Sequence, residues 1–294
     1  MSLYTLENGK VRIGVESFGA ELKSLQRVSD GCEYMWNADP AFWKRTSPVL
    51  FPLVGSLNGK AYRYMGGEYP MSQHGFARDR EFVLLEQKEN EIWFVLKEDE
   101  ESLQIYPFAF ELRIGYVLKD YVVEVHWQVE NTNTHEMYFS IGGHPAFMCP
   151  IAEGTKQTDY VIGFDVKDRV VSTMIGRDGL ASDVKKEYAL EDGVLPITEH
   201  LFDEDALIIE NDQAHSVALM TGDKKPYLTV RFTAPLFGVW SPPKKNAPFI
   251  CIEPWYGRCD AEDFTGNLEE RVWGNILEAG DSFKTSYEIQ IEEA

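Results

Sequence analysis

The sequence has few cysteines and no metal-binding spacing. Its 294 residues include four cysteines without a CxxC pair: Cys32, Cys149, Cys251 and Cys259. This pattern excludes a disulfide scaffold and a zinc ribbon, and we expect reduced thiols. The six histidines lack HxH or HExxH spacing, so that no metal is expected. No GxGxxG or P-loop motif occurs either, and the sequence therefore implies no cofactor.

Positive charge and long hydrophobic runs are also scarce. The chain has 28 Lys and Arg against 48 Asp and Glu, a formal net charge of -20. Such a charge repels phosphate backbones and anionic lipids, which argues against nucleic acid and membrane partners. No apolar run reaches the length of about 18 residues that a membrane span needs, and the N-terminus lacks the features of a signal peptide. We therefore expect a cytoplasmic location.

The pattern of apolar residues predicts an all-β fold with large antiparallel sheets. Apolar residues fill every second position over 108–118, and the alternation resumes over 123–129 after a turn at Lys119 and Asp120. Two such strands, each with one apolar face, indicate a sheet packed on a second layer. Helical periodicity is scarce and no internal boundary is visible, so we expect one domain over 1–294.

Shorter segments give further predictions. Residues 11–17 and 19–25 are expected to form an opening hairpin, and residues 82–85 and 92–96 a second one. The acidic run 97–101 is most simply a solvated turn, and 166–193 is expected to contain excursion and hairpin loops. The segment 45–59 contains two prolines and two glycines, which predicts a long loop across the sheet.

Two segments place a titratable side chain at a predicted strand end. In SIGGHPAF, His144 follows two glycines and precedes Pro145, so that it should lie at a rigid break. Glu253 follows an apolar strand and precedes a proline and two aromatic residues, which should reduce its solvation and suit it to act as a general base. Taken alone, His144 also fits a core histidine, and Glu253 a carboxylate that caps a turn or pairs with Arg258.

Two further clusters are polar. The segment QHGFAR brings Gln73, His74 and Arg78 close together, and Arg45 opens the predicted loop. Taken singly, Arg45, Gln73 and Arg78 also fit solvated loop residues. Asp205 has the weakest setting, because Asp203 and Glu204 precede it directly.

Three separated motifs, GGHPAF, QHGFAR and IEPWYGRCD, resemble those of the aldose 1-epimerase (galactose mutarotase-like) superfamily, most closely its LacX-like branch. The similarity extends from the first hairpin to the LEAGD segment at 277–281. It implies a β-supersandwich that binds a hexose in a shallow cleft across one concave sheet. It also implies a mutarotase, which interconverts the α and β anomers of an aldohexose.

The resemblance assigns roles to individual residues. It implies that Glu253 is the general base, that His144 is the general acid, and that His74 binds and polarises the sugar. Arg45 corresponds to the family's loop arginine. Asp205 corresponds to its substrate-binding aspartate, although Asp203 is an alternative match.

The substrate and the class of activity have alternatives. Hexose-6-phosphate epimerases of the superfamily also have an arginine-bearing loop and a QHG-x-AR segment, and there Arg45, Gln73 and Arg78 would hold the phosphate. A non-catalytic sugar-binding protein would have the same concave sheet. A glycoside hydrolase needs two carboxylates beside the scissile bond, and only Glu253 has a convincing setting. Both a monomer and a homodimer fit the sequence.

Overall fold

Strands make up nearly all of the regular structure. The computed structural model describes residues 1–293, and these contain twenty-four strands. The first twelve are β1 (Leu3–Glu7), β2 (Val11–Glu16), β3 (Glu21–Arg27), β4 (Val49–Leu50), β5 (Ala61–Tyr64), β6 (Gly67–Pro70), β7 (Val83–Gln87), β8 (Glu91–Lys97), β9 (Phe110–Lys119), β10 (Val122–Asn131), β11 (Met137–Phe139) and β12 (Ile141–Gly143). The others are β13 (Ala146–Met148), β14 (Tyr160–Phe164), β15 (Arg169–Ile175), β16 (Ala181–Ala189), β17 (Val194–Pro196), β18 (Leu207–Ile209), β19 (Ser216–Thr221), β20 (Pro226–Phe232), β21 (Leu236–Trp240), β22 (Phe249–Tyr256), β23 (Asn275–Leu277) and β24 (Ser282–Ile291).

Helical structure is limited to short segments. Residues 1–293 contain one α-helix, α1 (Glu100–Ile105), and five 3₁₀ turns: Asn58–Lys60, Ala77–Asp79, Gln157–Asp159, Arg177–Gly179 and Leu268–Glu270. The prediction of a solvated turn over 97–101 is wrong at its end, because α1 begins there. Asp99 caps this helix by accepting the backbone N–H of Ser102 at 2.7 Å. Across the described part of the chain, no helix is long and apolar enough to cross a membrane.

Two large antiparallel sheets confirm the predicted all-β class. One has the strand order β17-β14-β19-β20-β24-β10-β9-β8-β7. The other has the order β16-β15-β18-β21-β22-β12-β4, with β13 also paired to β22. Three small sheets consist of β1-β2-β3, β11-β23 and β5-β6. The predicted hairpins β2-β3 and β7-β8 are both present.

The longest predicted strands lie at the centre of the nine-stranded sheet. β10 pairs with β9 on one side and with β24 on the other. Its alternate side chains Val123, Val125, Trp127 and Val129 are at most 2% exposed. They belong to a core that also contains Leu6 and Ile291, from near the two ends of the chain. Burial of this apolar surface, at about 25 cal/mol per Å², is the main stabilising contribution to the fold.

Several strands were not specified by the sequence pattern, and β1 and β16 show why. β1 pairs with β2 of the opening hairpin. Only one of its five residues is buried, so that its sequence lacks the alternation of apolar and polar residues that would predict a strand. The segment 166–193 folds mainly into the β15–β16 hairpin at one edge of the eight-stranded sheet. Most of β16 is exposed and polar, and the apolar alternation typical of a strand is therefore missing.

The register around β22 brings His144 and Glu253 together. β12 and β13 are short segments that pair with the same side of β22 and are separated by residues 144 and 145. The flanking pairs are Gly142 with Trp255 and Ala146 with Cys251. Midway between these pairs, His144 faces Glu253. The predicted rigid break is thus present, and it lies inside the eight-stranded sheet.

Gly75 fixes the backbone of the QHGFAR segment. Its φ is +72°, and an added Cβ would lie 2.2 Å from the carbonyl oxygen of Phe51, with which Gly75 forms a bridge. We expect Gly75→Ala to lower the free energy of unfolding more than Gly154→Ala, a matched control. Gly154 has φ +78° but open space around it, so that its substitution carries only the conformational cost of about 1–2 kcal/mol. Equal losses in urea denaturation would contradict this steric argument.

Candidate active site

Most of the predicted site residues line one cavity on the eight-stranded sheet. Its volume is about 310 Å³, at the lower end of the range for small-molecule sites. Six of the seven predicted residues line it: Gln73, His74, Arg78, His144, Asp205 and Glu253. Arg45 lies beside this lining and donates hydrogen bonds to both carboxylate oxygens of Asp79, at 2.9 and 3.1 Å.

The closest pair of titratable groups in the cavity is His144 and Glu253. The Nε2 atom of His144 lies 3.2 Å from the Oε2 atom of Glu253, and both side chains are buried. The two groups are close but poorly aligned, because among residues 1–293 this Oε2 atom has no hydrogen-bond partner. Both groups can therefore turn towards a substrate without losing a well-formed bond.

Glu253 lies within β22, and the prediction that it ends a strand is wrong. Main-chain groups of successive residues in an antiparallel strand face opposite neighbours, so that every second residue faces the same neighbour. Ile252 donates its N–H to Pro145, so that Pro254 also faces the interrupted side of the sheet. Its missing N–H leaves no broken hydrogen bond there, and the strand continues to Tyr256.

The alternative that Glu253 pairs with Arg258 is also wrong. Arg258 donates to the Oε1 atom of Glu210 at 2.7 Å. Burial raises the pKa of Glu253 well above its ordinary value, and the negative charge of Asp205 raises it further. The indole N–H of Trp255 opposes this rise only in part. The carboxyl group of Glu253 is therefore poised to hold a proton.

His144 is enclosed by aromatic rings. Its imidazole stacks on Trp43, with ring centroids 4.7 Å apart, and meets the edge of Trp240 at 5.4 Å. Burial, followed by the positive charges of Arg78 and Arg45, lowers the pKa of His144 to about 3. The imidazole is therefore neutral in the empty cavity at neutral pH.

His74 has a left-handed backbone conformation, and a hydrogen bond from Gly55 fixes the tautomer of its ring. Its φ is +68°, in the left-handed region that residues with side chains seldom adopt. Gly55 donates its N–H to the Nδ1 atom of His74 at 3.1 Å. The backbone N–H of His74 in turn donates a hydrogen bond to the carbonyl of Gly55. Because Nδ1 accepts, the neutral ring has its proton on Nε2. Burial lowers the pKa of His74, so that it serves as a neutral donor.

The structure separates the two candidate aspartates. Asp205 lines the cavity, whereas Asp203 pairs with the exposed His200 at 2.8 Å. Asp205 also has a left-handed backbone, with φ +75°. The geometry therefore favours Asp205 over Asp203 as the acceptor in the site.

Arg78 brings a positive charge to the rim of the cavity. It donates to the backbone carbonyl of Gln73 at 2.5 Å, and within residues 1–293 its buried Nε atom has no hydrogen-bond partner. Burial and the charge of Arg45 lower its pKa to about 10, which still leaves it charged at neutral pH. The cavity thus contains an unused N–H donor with a positive charge.

The tryptophans of the cavity were not predicted as site residues. Trp43, Trp240 and Trp255 all line it. Trp255 lies across the neighbouring strand at Gly238, where an added Cβ would approach its ring to 2.8 Å. Aromatic residues beside the predicted residues Arg45 and Glu253 were the available signal, since such faces commonly line ligand sites.

The raised pKa of Glu253 predicts a pH-dependent stability difference. The folded state retains a proton that the unfolded state loses above the ordinary carboxyl pKa of 4.5, so that wild-type stability falls as pH rises through this range. Glu253→Gln removes this cost, and we expect the variant to be more stable than wild type at pH 7. The difference should shrink below pH 4.5. Urea denaturation from pH 4 to 8 tests this, with the exposed Glu191→Gln as control. A stability gain in Glu253→Gln that did not change with pH would contradict it.

Comparison with known proteins places this chain in a family. The family model for aldose 1-epimerase matches residues 2–290. The plasmid-encoded protein LacX of Lactococcus lactis is 34% identical, with 97% of this chain and 98% of that protein covered. The solved structure of a galactose mutarotase related enzyme from Lactobacillus acidophilus has a TM-score of 0.92 and 33% identity, covering 99% of this chain and 98% of that chain. A galactose mutarotase-like protein from Lactobacillus casei has a TM-score of 0.92 and 30% identity, with coverages of 99% and 100%.

The agreement in sequence and in structure extends over essentially the whole chain, and it includes the segments that contain the three motifs. The chain therefore belongs to the aldose 1-epimerase family and has the galactose mutarotase-like fold.

Proposed function

We propose that this protein is a mutarotase that interconverts the α and β anomers of an aldohexose, with Glu253 as general base and His144 as general acid. The observation that carries this proposal is the 3.2 Å approach of a buried imidazole and a buried carboxyl group that lack a well-aligned hydrogen bond. Both belong to the lining of a cavity large enough for a small molecule.

The reaction needs one proton acceptor and one proton donor. Glu253 removes the proton of the C1 hydroxyl while His144 delivers a proton to the ring oxygen, and the bond between C1 and the ring oxygen breaks. The product is the open aldehyde. Rotation about the C1–C2 bond exposes the other face of the carbonyl. Re-closure returns both protons and gives the other anomer.

The proton count explains why both groups are buried. Ring opening starts after the proton that the pair shares has moved from Glu253 to His144, and it leaves Glu253 protonated and His144 neutral again. Burial favours these same two forms, because it raises the pKa of Glu253 and lowers that of His144. The pair holds one proton before and after ring opening, so that turnover requires no net exchange of protons with solvent.

Three other side chains would orient the sugar. The Nε2–H of His74 donates to a sugar oxygen, the carboxylate of Asp205 accepts from a hydroxyl, and the amide of Gln73 can do either. All three line the cavity around the acid–base pair. The rings of Trp43 and Trp240 provide apolar faces against which the C–H groups of a sugar ring can pack.

A hexose 6-phosphate is the second candidate substrate. The supporting observation is the Nε atom of Arg78, a charged donor that has no hydrogen bond within residues 1–293 and lies 3.9 Å from the carboxylate of Asp79. Guanidinium groups bind phosphate oxygens in a fork geometry. The net charge of -20 opposes the approach of an anion. We therefore place the free aldohexose first.

Loss of either catalytic group is expected to remove most of the activity. Positioned proton transfer contributes about 10² to 10⁴-fold to a rate. We expect His144→Asn and Glu253→Gln each to lower the rate of anomer exchange by about that factor while the proteins stay folded. Exchange NMR on the anomeric protons of glucose and galactose measures this rate.

Two exposed positions provide matched controls for these substitutions. His200→Asn and Glu191→Gln lie at side chains that are 82% and 85% exposed, and both should retain the wild-type rate. Near-normal exchange in either catalytic variant would remove the assignment of that residue. Sugar binding without accelerated exchange in the wild type would identify a non-catalytic binding protein.

Arg78 should distinguish the two substrates. If the substrate is a hexose 6-phosphate, Arg78→Gln should lower kcat/KM for the phosphorylated sugar at least about tenfold more than for the free sugar, because a hydrogen bond to a charged group contributes about 1.5–3 kcal/mol. If the substrate is a free aldohexose, Arg78→Gln should lower kcat/KM for the phosphorylated and for the free sugar by similar factors. Arg80→Gln is the control, because Arg80 pairs with Asp99 and Glu101 on the surface.

A further inference from the structure

A cysteine thiol lies against the acid–base pair. Cys251 and Glu253 occupy alternate positions of β22, so that both side chains project from the same face of the sheet. His144 faces the same point from the gap between β12 and β13. One ligand-type atom from each of His144, Cys251 and Glu253 lies within 4.8 Å of the other two, and all three residues are buried.

Two polar atoms of this group lack hydrogen-bond partners in the described part of the chain. Within residues 1–293, the Oε2 atom of Glu253 and the Nδ1 atom of His144 are buried without a hydrogen-bond partner. Burial raises the pKa of the Cys251 thiol, which makes it a poor nucleophile. The anomer exchange proposed above needs only an acid and a base, and it therefore leaves this thiol without a role.

We propose that His144, Cys251 and Glu253 form a binding site for a thiophilic divalent cation, with Zn²⁺ as the best match. Zinc binds thiolate, imidazole and carboxylate ligands in tetrahedral geometry, often with three protein ligands and one open position. His144 and Glu253 line the cavity, from which a fourth ligand would approach the ion. Magnesium and calcium need about six or more oxygen ligands and do not fit this set.

Charge balance is compatible with such an ion. Binding releases the protons of the Cys251 thiol and of the Glu253 carboxyl to solvent, and the two anionic ligands neutralise the charge of Zn²⁺. Asp205 favours the cation, whereas Arg45 and Arg78 oppose it. Because the bound complex is neutral, the two arginines impose little penalty on it.

Occupancy of this site would stop the reaction. The ion uses the imidazole lone pair and the carboxylate that the proposed mutarotase mechanism needs for proton transfer. Inhibition therefore rests on the proposed function, whereas metal binding does not.

Cobalt provides a test of the ligands that is independent of activity. We expect metal-free protein to bind one Co²⁺ with a thiolate-to-cobalt charge-transfer absorption, which Zn²⁺ then displaces. Cys251→Ser should abolish this absorption and weaken Zn²⁺ binding at least about tenfold, as loss of a metal-site interaction does. Cys259→Ser is the matched control, because Cys259 is also buried and lines the same cavity outside the three-residue group.

The outcomes separate this proposal from the proposed function. A cobalt–thiolate band in wild type and Cys259→Ser, but not in Cys251→Ser, supports the site whether or not the protein exchanges anomers. Inhibition of anomer exchange by Zn²⁺, reversed by a chelator and weakened in Cys251→Ser, supports the inhibitory role. Absence of the band in wild type, or Zn²⁺ affinity unchanged in a folded Cys251→Ser or Cys251→Ala variant, would overturn the proposal. Near-ultraviolet circular dichroism establishes folding of each variant.

Discussion

The candidate site depends on one interruption of strand pairing. β22 is continuous, while its neighbour is divided into β12 and β13 by residues 144 and 145. The register is the same on both sides of this interruption, so that residue 144 lies opposite Glu253 and its imidazole meets the carboxyl group. Pro145 and Pro254 both lack an N–H on this side of β22, which reduces the pairing beside the acid–base pair.

The eight-stranded sheet contains a second buried glutamate that shows what Glu253 lacks. Burial also tends to raise the pKa of Glu210, but hydrogen bonds from Thr173 and Lys185 and the charge of Arg258 outweigh it, and the pKa falls. The two residues are 5% and 1% exposed, so that burial alone does not distinguish them. Paired with cations, Glu210 is suited to a structural role. Glu253 carries a cost in stability, which is consistent with the catalytic role proposed for it.

The sequence could predict those parts of the molecule that local patterns determine. Apolar alternation identified β9 and β10, and three motifs identified residues that converge on one cavity. The partner of Arg258 and the approach of His144 to Cys251 could not be predicted, because contacts between distant segments depend on strand register. The start of α1 was hidden for a different reason, since its cap, Asp99, lies in an acidic run that equally fits a solvated turn.

Backbone conformation was the other property that the sequence did not reveal. His74 and Asp205 both have left-handed φ angles, and such residues cost about 1–3 kcal/mol each. A hydrogen bond holds each side chain: Gly55 donates its N–H to the ring of His74, and Ala206 donates its N–H to the carboxylate of Asp205. Two of the six predicted residues in the cavity are thus held in unfavourable conformations. Because only one of the two candidate aspartates is strained in this way and lines the cavity, the backbone distinguishes Asp205 from its acidic neighbours where the sequence could not.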